Sequence, residues 1–332
     1  MKYKYKRYFL KLTHAQILLA WTKKIRFKKF DNVSLYVIVK TLLKNLQEDD
    51  IMDRANGVAF NFILAIFPAI IFLFTLIPYI SIYIPAINTE NIMVFLSEQL
   101  PPEMYEVIGS TVLDIISIQR GGLLSFGFFL SLFLSTNGMM ALMRAFNSCY
   151  KTIENRGAIK ARVIATALTF NLVVALFLAI TLLVVGQLAI NQMSANLSEV
   201  AWLNVDRITV NTLLLLRFIV IFIVFYMVIS SMYYFGPAIH YNWRFFSIGS
   251  SVATIFCLAI SYGFSFYISS FGTYNKLYGS IGALIALMIW IQIITIVLLA
   301  GYELNASIHD SRRSESIRQA KRVIYKAESA RK

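Results

Sequence analysis

Residues 278–305, YGSIGALIALMIWIQIITIVLLAGYELN, form an apolar run of more than twenty residues, and no other feature of the chain limits its fold so strongly. A helix rises about 1.5 Å per residue, so about twenty residues cross the roughly 30 Å hydrocarbon core of a bilayer. In lipid the backbone amides of a single run must be satisfied within the run itself, which selects the helix. Composition agrees. The 332 residues are 58% apolar and only 14% charged, against roughly 25% charged in an average soluble domain. Five further runs are long and apolar enough to span, near 57–80, 122–146, 162–190, 210–235 and 245–270, and the sixth falls at 279–305. The expected fold is an all-α membrane protein of six transmembrane helices.

The net charge of +14 is unevenly placed: 13 of the 31 Lys and Arg lie at or before Arg54 and eight lie from Arg312 onward. This divides the chain into a basic arm at 1–56, a spanning domain at 57–305 and a basic tail at 306–332. Cytoplasmic connections collect Lys and Arg. The connection after the second run carries Lys151, Arg156, Lys160 and Arg162, whereas 81–119 has neither base but holds Glu90, Glu98, Glu103, Glu106 and Asp114. The other two connections hold one base each, Arg207 and Lys276, so the charges place both termini in the cytoplasm. Adhesion to membrane lipids with anionic headgroups at the cytoplasmic face, worth about 1 kcal/mol per base, accounts for the arms without nucleic acid. A homo-oligomer or another membrane protein is left open as a partner. The patch at 15–21 lacks the length and cleavage site of a secretory signal and is expected to stay in the mature chain. Cys149 and Cys257 read as packing residues rather than a disulfide.

Two shorter patterns add to the six spans. Leu35, Ile38, Val39, Leu42, Leu43 and Leu46 recur at helical spacing, which predicts an amphipathic N-terminal helix over 33–48 on the inner membrane face or under the bundle. Between the first and second spans, Ile92, Met93, Phe95, Leu96 and Leu100 form one stripe, and Met104, Val107, Ile108, Val112, Ile115 and Ile116 form another. Pro101 and Pro102 break the pattern between them, which predicts an outer helical hairpin that either covers the bundle or acts as a lid.

Several blocks carry a resemblance to a known family: ANGVAFNFILAIFP ending at Pro68, RAFNSCY from Arg144 to Tyr150, and Tyr234, Pro237, Trp243, Arg244 and Gly249. The densest block holds Phe266, Tyr267, Tyr274, Asn275, Tyr278, Gly279, Ser280 and Gly282, then Trp290, Gly301, Glu303 and Asn305. Over roughly 45–308 the chain resembles the YihY/virulence factor BrkB family of bacterial inner-membrane proteins, once called ribonuclease BN. It departs from that pattern at Gln292, where an aromatic is usual, and at Tyr302, where a small residue is usual. The resemblance implies six spans and a bacterial inner membrane, with no settled activity.

The ribonuclease name meets little chemistry in the chain. Phosphodiester hydrolysis needs metal-binding carboxylates or His, or a positioned acid and base. His14, His240 and His309 stand in separate segments, and the acidic group Glu48, Asp49, Asp50 and Asp53 reads as a charged helix start at the interface. Neither a P-loop nor a GxSxG elbow occurs. No enzyme activity, cofactor or metal is expected. Polar residues inside the spans are the remaining candidates for a substrate site or polar path. Asn137 and Arg144 are seven apart in the second span; Gln292, Thr295 and Glu303 share a face of the sixth; Arg217 stands inside the fourth. Arg144 and Glu303, both at inner span ends, are expected either to pair or to act independently. Pro68 and Pro78, with Pro85 just beyond, should kink the first span. These features suit a transporter- or flippase-like protein for an amphiphilic or anionic envelope compound, and the alternative is a non-transporting scaffold or assembly factor.

Overall fold

The computed structural model describes residues 26–27, 33–48, 50–83, 89–99, 102–150, 154–198, 207–238, 244–270 and 272–329. Six helices are long and apolar enough to span, as expected. The chain runs through α1 (Leu35–Glu48), α2 (Ile51–Ile80), α3 (Thr89–Gln99), α4 (Pro102–Ser117), α5 (Gly121–Cys149), α6 (Ala158–Ser198), α7 (Arg207–Phe235), α8 (Ile248–Ser270) and α9 (Gly272–Ser329). The expected amphipathic helix is α1, and the expected hairpin between the first two spans is α3 with α4. A two-residue antiparallel ladder, Arg26–Phe27 with Val33–Ser34, precedes α1.

The spans are α2 and α5 to α9. Each packs on the next in chain order, and α9 returns to α2, so the six form a closed ring. The interior is filled at the end of the ring where α1 meets the C-terminal part of α9. There Phe146 stacks on Tyr302 with ring centroids 4.3 Å apart, and Tyr233 meets both edge-on at 5.4 and 5.3 Å. The Tyr233 hydroxyl donates to the Leu298 carbonyl at 2.6 Å, which satisfies a polar tip buried among apolar neighbours. The buried Tyr302 ring fills the axis of the bundle.

Two close approaches fix how the helices cross. A Cβ on Gly249 would lie 2.0 Å from the Gly301 carbonyl oxygen, and one on Gly301 would lie 2.7 Å from both the Ala253 Cβ and the Tyr233 hydroxyl. Small residues let spanning helices approach this way, because lipid offers no hydrophobic drive for association and packing has to supply it. Asn305 completes the contact. Its Oδ1 accepts from the Gly249 amide at 2.8 Å and its Nδ2 donates to Ser247 Oγ at 2.9 Å, so one side chain of α9 caps the first turn of α8.

Two spans run beyond the boundaries expected. α2 starts at Ile51, several residues before the apolar run, with Asp50 in the left-handed conformation at φ 43° ahead of it. It then runs through Pro68 and Pro78, both buried, as one helix. α9 continues without a break past 305 to Ser329, because the tail contains neither Gly nor Pro after Gly301. α1 packs against this continuation: Val33 and Ile38 meet Ile308, Asn45 Nδ2 donates to Glu303 Oε1 at 2.7 Å, and Ser311 Oγ donates to Thr41 Oγ1 at 3.3 Å. Of the two expected locations, α1 therefore takes the one against the bundle, although Leu43 on its other side is 55% exposed.

A polar latch joins the second, third and fourth spans at the same end. Arg156 forks onto Glu154 through Nε (2.6 Å) and Nη2 (2.7 Å), and its Nη1 and Nη2 also donate to the carbonyls of Phe235 and Gly236 at the end of α7. Asn147 bridges the same parts, donating to Glu154 Oε2 at 2.8 Å and accepting from the Ala238 amide at 2.7 Å. The Arg156 side chain thereby satisfies carbonyls left open by the helix end.

Replacing Gly249 by Ala should destabilise the purified protein by about 3 kcal/mol or more, since the added methyl meets backbone rather than a movable side chain. Thermal unfolding in detergent reads this, and an unchanged midpoint would mean that the two backbones do not meet there. The latch makes a pH-dependent forecast. The hydrogen bond from the Arg156 side chain is the main reason the Glu154 carboxyl is held below its ordinary value, against a smaller opposing effect of burial. A carboxylate with a depressed folded pKa contributes stability above its unfolded value and loses it as pH falls through the folded one. Glu154→Gln should therefore lower stability by about 1 kcal/mol at neutral pH, a charge-assisted bond discounted for partial exposure. The difference should vanish once the pH drops well below about 4. A gap of equal size at both ends of the titration would contradict this.

Candidate functional site

Arg162 is the residue around which a site can be built. It lies four positions into α6, inside the third span, and is half-buried. A charge within a span needs a partner or a route to water. The second span supplies the partners from three residues along one face. Arg162 Nη1 donates to Asn137 Oδ1 and to Met140 Sδ, the latter at 3.1 Å, while its guanidinium carbon sits 4.4 Å above the centroid of the Phe133 ring. A guanidinium carries five N–H donors, so engaging one nitrogen leaves capacity for a bidentate phosphate or carboxylate.

Two grooves flank this side chain and share it. One, of about 730 Å³, is walled by Met140, Ala158, Ile159, Val163 and Phe170; the other, of about 520 Å³, by Phe126, Phe129, Leu130 and Phe133. Thr166 lines both, but its hydroxyl is taken by the Arg162 carbonyl at 2.9 Å, and the Thr136 hydroxyl by the Leu132 carbonyl at 2.7 Å. Arg162 is thus the charged group of both linings. The walls face outward from the ring: Ile159 is 83% exposed and Phe129 67%. Apolar walls with one anchored cation form a perimeter site suited to an amphiphile whose tail lies along the spans and whose anionic head meets the guanidinium.

The other residues singled out in the sequence are placed as follows. Asn137 joins the site as the acceptor that orients Arg162. Arg144, seven residues on, is exposed and lines a different pocket with Arg54. Arg144 and Glu303 do not pair: Glu303 is fully buried and accepts from Asn45, which comes from a helix that the charge argument left out. Gln292 Nε2 donates to Asn56 Oδ1 of the first span at 2.7 Å, and the buried Thr295 donates to the Ile291 carbonyl of its own helix at 2.8 Å. These contacts join helices or satisfy a hydroxyl locally. Arg217 is half-buried in α7 and lines neither groove.

Among the family-resemblance residues, Asn147 accepts from the Ala238 amide, Gly249 meets Gly301 and Asn305, Glu303 accepts from Asn45, and Pro237 is buried. Pro68 and Gly282 are buried, and Trp290 stacks on Phe264 at 5.9 Å. Tyr274, Asn275, Tyr278 and Gly279 fall in the first turns of α9, with their side chains outside the described residues. Trp243, His14 and His240 are also outside them. Among the described residues no three His, Cys, Asp or Glu side chains gather to hold a metal ion. Arg162 itself was hidden in the sequence by its grouping with Lys151, Arg156 and Lys160 as loop charge. The signal that could have found it is its place inside the third span, opposite an Asn of the second.

With this geometry in view, comparison with known proteins bears on identity. A ribonuclease-like protein of Bacillus subtilis, YfkH, is 31% identical over 261 residues, covering 77% of this chain and 89% of that one. A UPF0761 membrane protein of Tolumonas auensis is 31% identical over 85 residues, covering 26% and 28%, and one of Mannheimia succiniciproducens is 30% identical over 91 residues, covering 27% and 32%. No solved structure matches. The family described as virulence factor BrkB matches residues 42–324, which takes in all six spans and the groove at Arg162; the chain belongs to that family.

Proposed function

We propose that this protein binds an anionic amphiphile of the cell envelope at Arg162 and carries it between leaflets along the seam of the second and third spans, in the manner of a flippase. The observation that carries this is the single cation, braced by Asn137, Met140 and Phe133, set between two apolar grooves on the perimeter of the ring. Filling of the ring axis by Phe146, Tyr233 and Tyr302 favours a perimeter route over a central one. Lipid headgroups are already concentrated at the depth where α6 begins, so a guanidinium one turn inside the span draws a phosphate below the interface without a long excursion of charge.

The protein acts in this reading in a bacterial inner membrane with both termini in the cytoplasm and membrane lipids as its partners. The even number of spans and the segregation of Lys and Arg support that orientation. Cysteines introduced at Glu98 and Glu106 should then react with an impermeant thiol reagent added to intact cells, and one at Arg318 should not. Cys149 and Cys257 are both buried and should give little background. Labelling only at Arg318 would invert the orientation.

Transport is tested in vesicles holding the full chain and phosphatidylglycerol labelled on its acyl chain, with a membrane-impermeant quencher outside. The wild type should expose inner-leaflet label faster than protein-free vesicles, Arg162→Gln should slow this by roughly tenfold, and Arg162→Lys should recover part of the rate. A wild-type rate equal to that of empty vesicles would replace the transport reading with that of a non-transporting scaffold.

A further inference from the structure

At the end of the bundle where α1 meets α9, a second pocket of about 340 Å³ lies between the first two spans. Its walls come from the opening turns of α2, with Arg54, Gly57, Val58 and Asn61, and from the last turns of α5, with Ala141, Arg144, Ala145 and Ser148. Two guanidiniums share it and no carboxylate lines it. Arg54 Nη1 is buried without a hydrogen-bond partner among the described residues. Arg144 is exposed, and no hydrogen bond or ion pair ties it to any described residue. Asn61 and Ser148 add an amide and a hydroxyl to the lining, the Asn61 amide donating to the Gly57 carbonyl at 2.7 Å.

Buried donors are almost always satisfied, so an open one in a pocket calls for a partner such as an ordered water or a bound anion. Two like charges in one pocket repel unless an anion lies between them. The guanidinium fork matches phosphate in shape and can bind it bidentately, which the compact ammonium of Lys cannot do. We propose that Arg54 and Arg144 form an anion site that takes a phosphate group, either the headgroup of a lipid in the adjacent leaflet or a free phosphate compound. The site is distinct from the perimeter grooves: its lining shares no residue with theirs, and Arg144 is about two turns further along α5 than Asn137.

The test uses the purified full chain in a neutral detergent, with thermal unfolding as the readout and two probes at ionic strength matched by chloride. One probe is inorganic phosphate and the other is a short-chain phosphatidic acid. A bound anion stabilises the folded protein by mass action, so at least one probe should raise the midpoint by about 3 °C or more. Stabilisation by inorganic phosphate identifies a site for free phosphate compounds, and stabilisation by the lipid alone identifies a headgroup site. In either case Arg54→Gln with Arg144→Gln should weaken half-saturation by roughly tenfold or more. No stabilisation of the wild type by either probe would overturn the proposal, as would an unaltered response of the variant. If that variant does not fold, arginine modification of the wild type by phenylglyoxal, mapped by mass spectrometry, decides the matter. The effective probe should slow modification at both Arg54 and Arg144, and equal rates with and without it would overturn the proposal.

Discussion

The contact between Gly249 and Gly301 is the constraint on which the rest of the bundle rests. Where the backbones of the fifth and sixth spans touch, Asn305 can reach the first turn of α8, and Tyr233 can reach the Leu298 carbonyl from the far side of the ring. That proximity leaves a space on the axis that Phe146 and Tyr302 fill with stacked rings. In lipid none of this is driven by expulsion of water from between helices, so each fit has to come from shape and from hydrogen bonds between polar groups. Residues that look unrelated in the chain, in RAFNSCY, around Pro237 and at the end of the sixth span, therefore serve one packed region.

The fold was legible because its signal is coarse. Six apolar runs, three amphipathic stripes and a proline break between Gln99 and Glu103 specify elements without any knowledge of packing. The end of the sixth helix was less legible, since hydropathy reports where the membrane stops and says nothing of where a helix stops. A tail free of Gly and Pro lets α9 continue. The site was legible only in part. Asn137 stood out as a polar residue in an apolar run, but its partner Arg162 looked like loop charge because depth in the membrane depends on where α6 begins. Glu303 was recognisable as a buried charge, and its partner Asn45 was not, because their sequence separation carries no local pattern.

Polar residues of this protein divide into two kinds. Asn147, Glu154, Arg156, Ser247, Ser250 and Asn305 spend their hydrogen-bonding capacity on helix ends and connections, holding the turns between spans in place. Arg54, Arg144 and Arg162 line open pockets and keep donors in reserve. The first kind has carboxylates, carbonyls, hydroxyls and backbone amides as partners. The second has a ring, an amide and a thioether around Arg162 and, for Arg54 Nη1, no hydrogen-bond partner among the described residues.

The order of the ring has a consequence for biogenesis. Every span after the first packs on the span synthesised immediately before it, so each can settle as it leaves the translocation machinery, with few distant contacts to wait for. Closure of the ring waits for α9, which brings together the first span, α1 and the glycine contact at once. Until that helix emerges, the five earlier spans form an open arc with an unsealed seam, and a chain that stops short of α9 presents that seam to the cell's quality control.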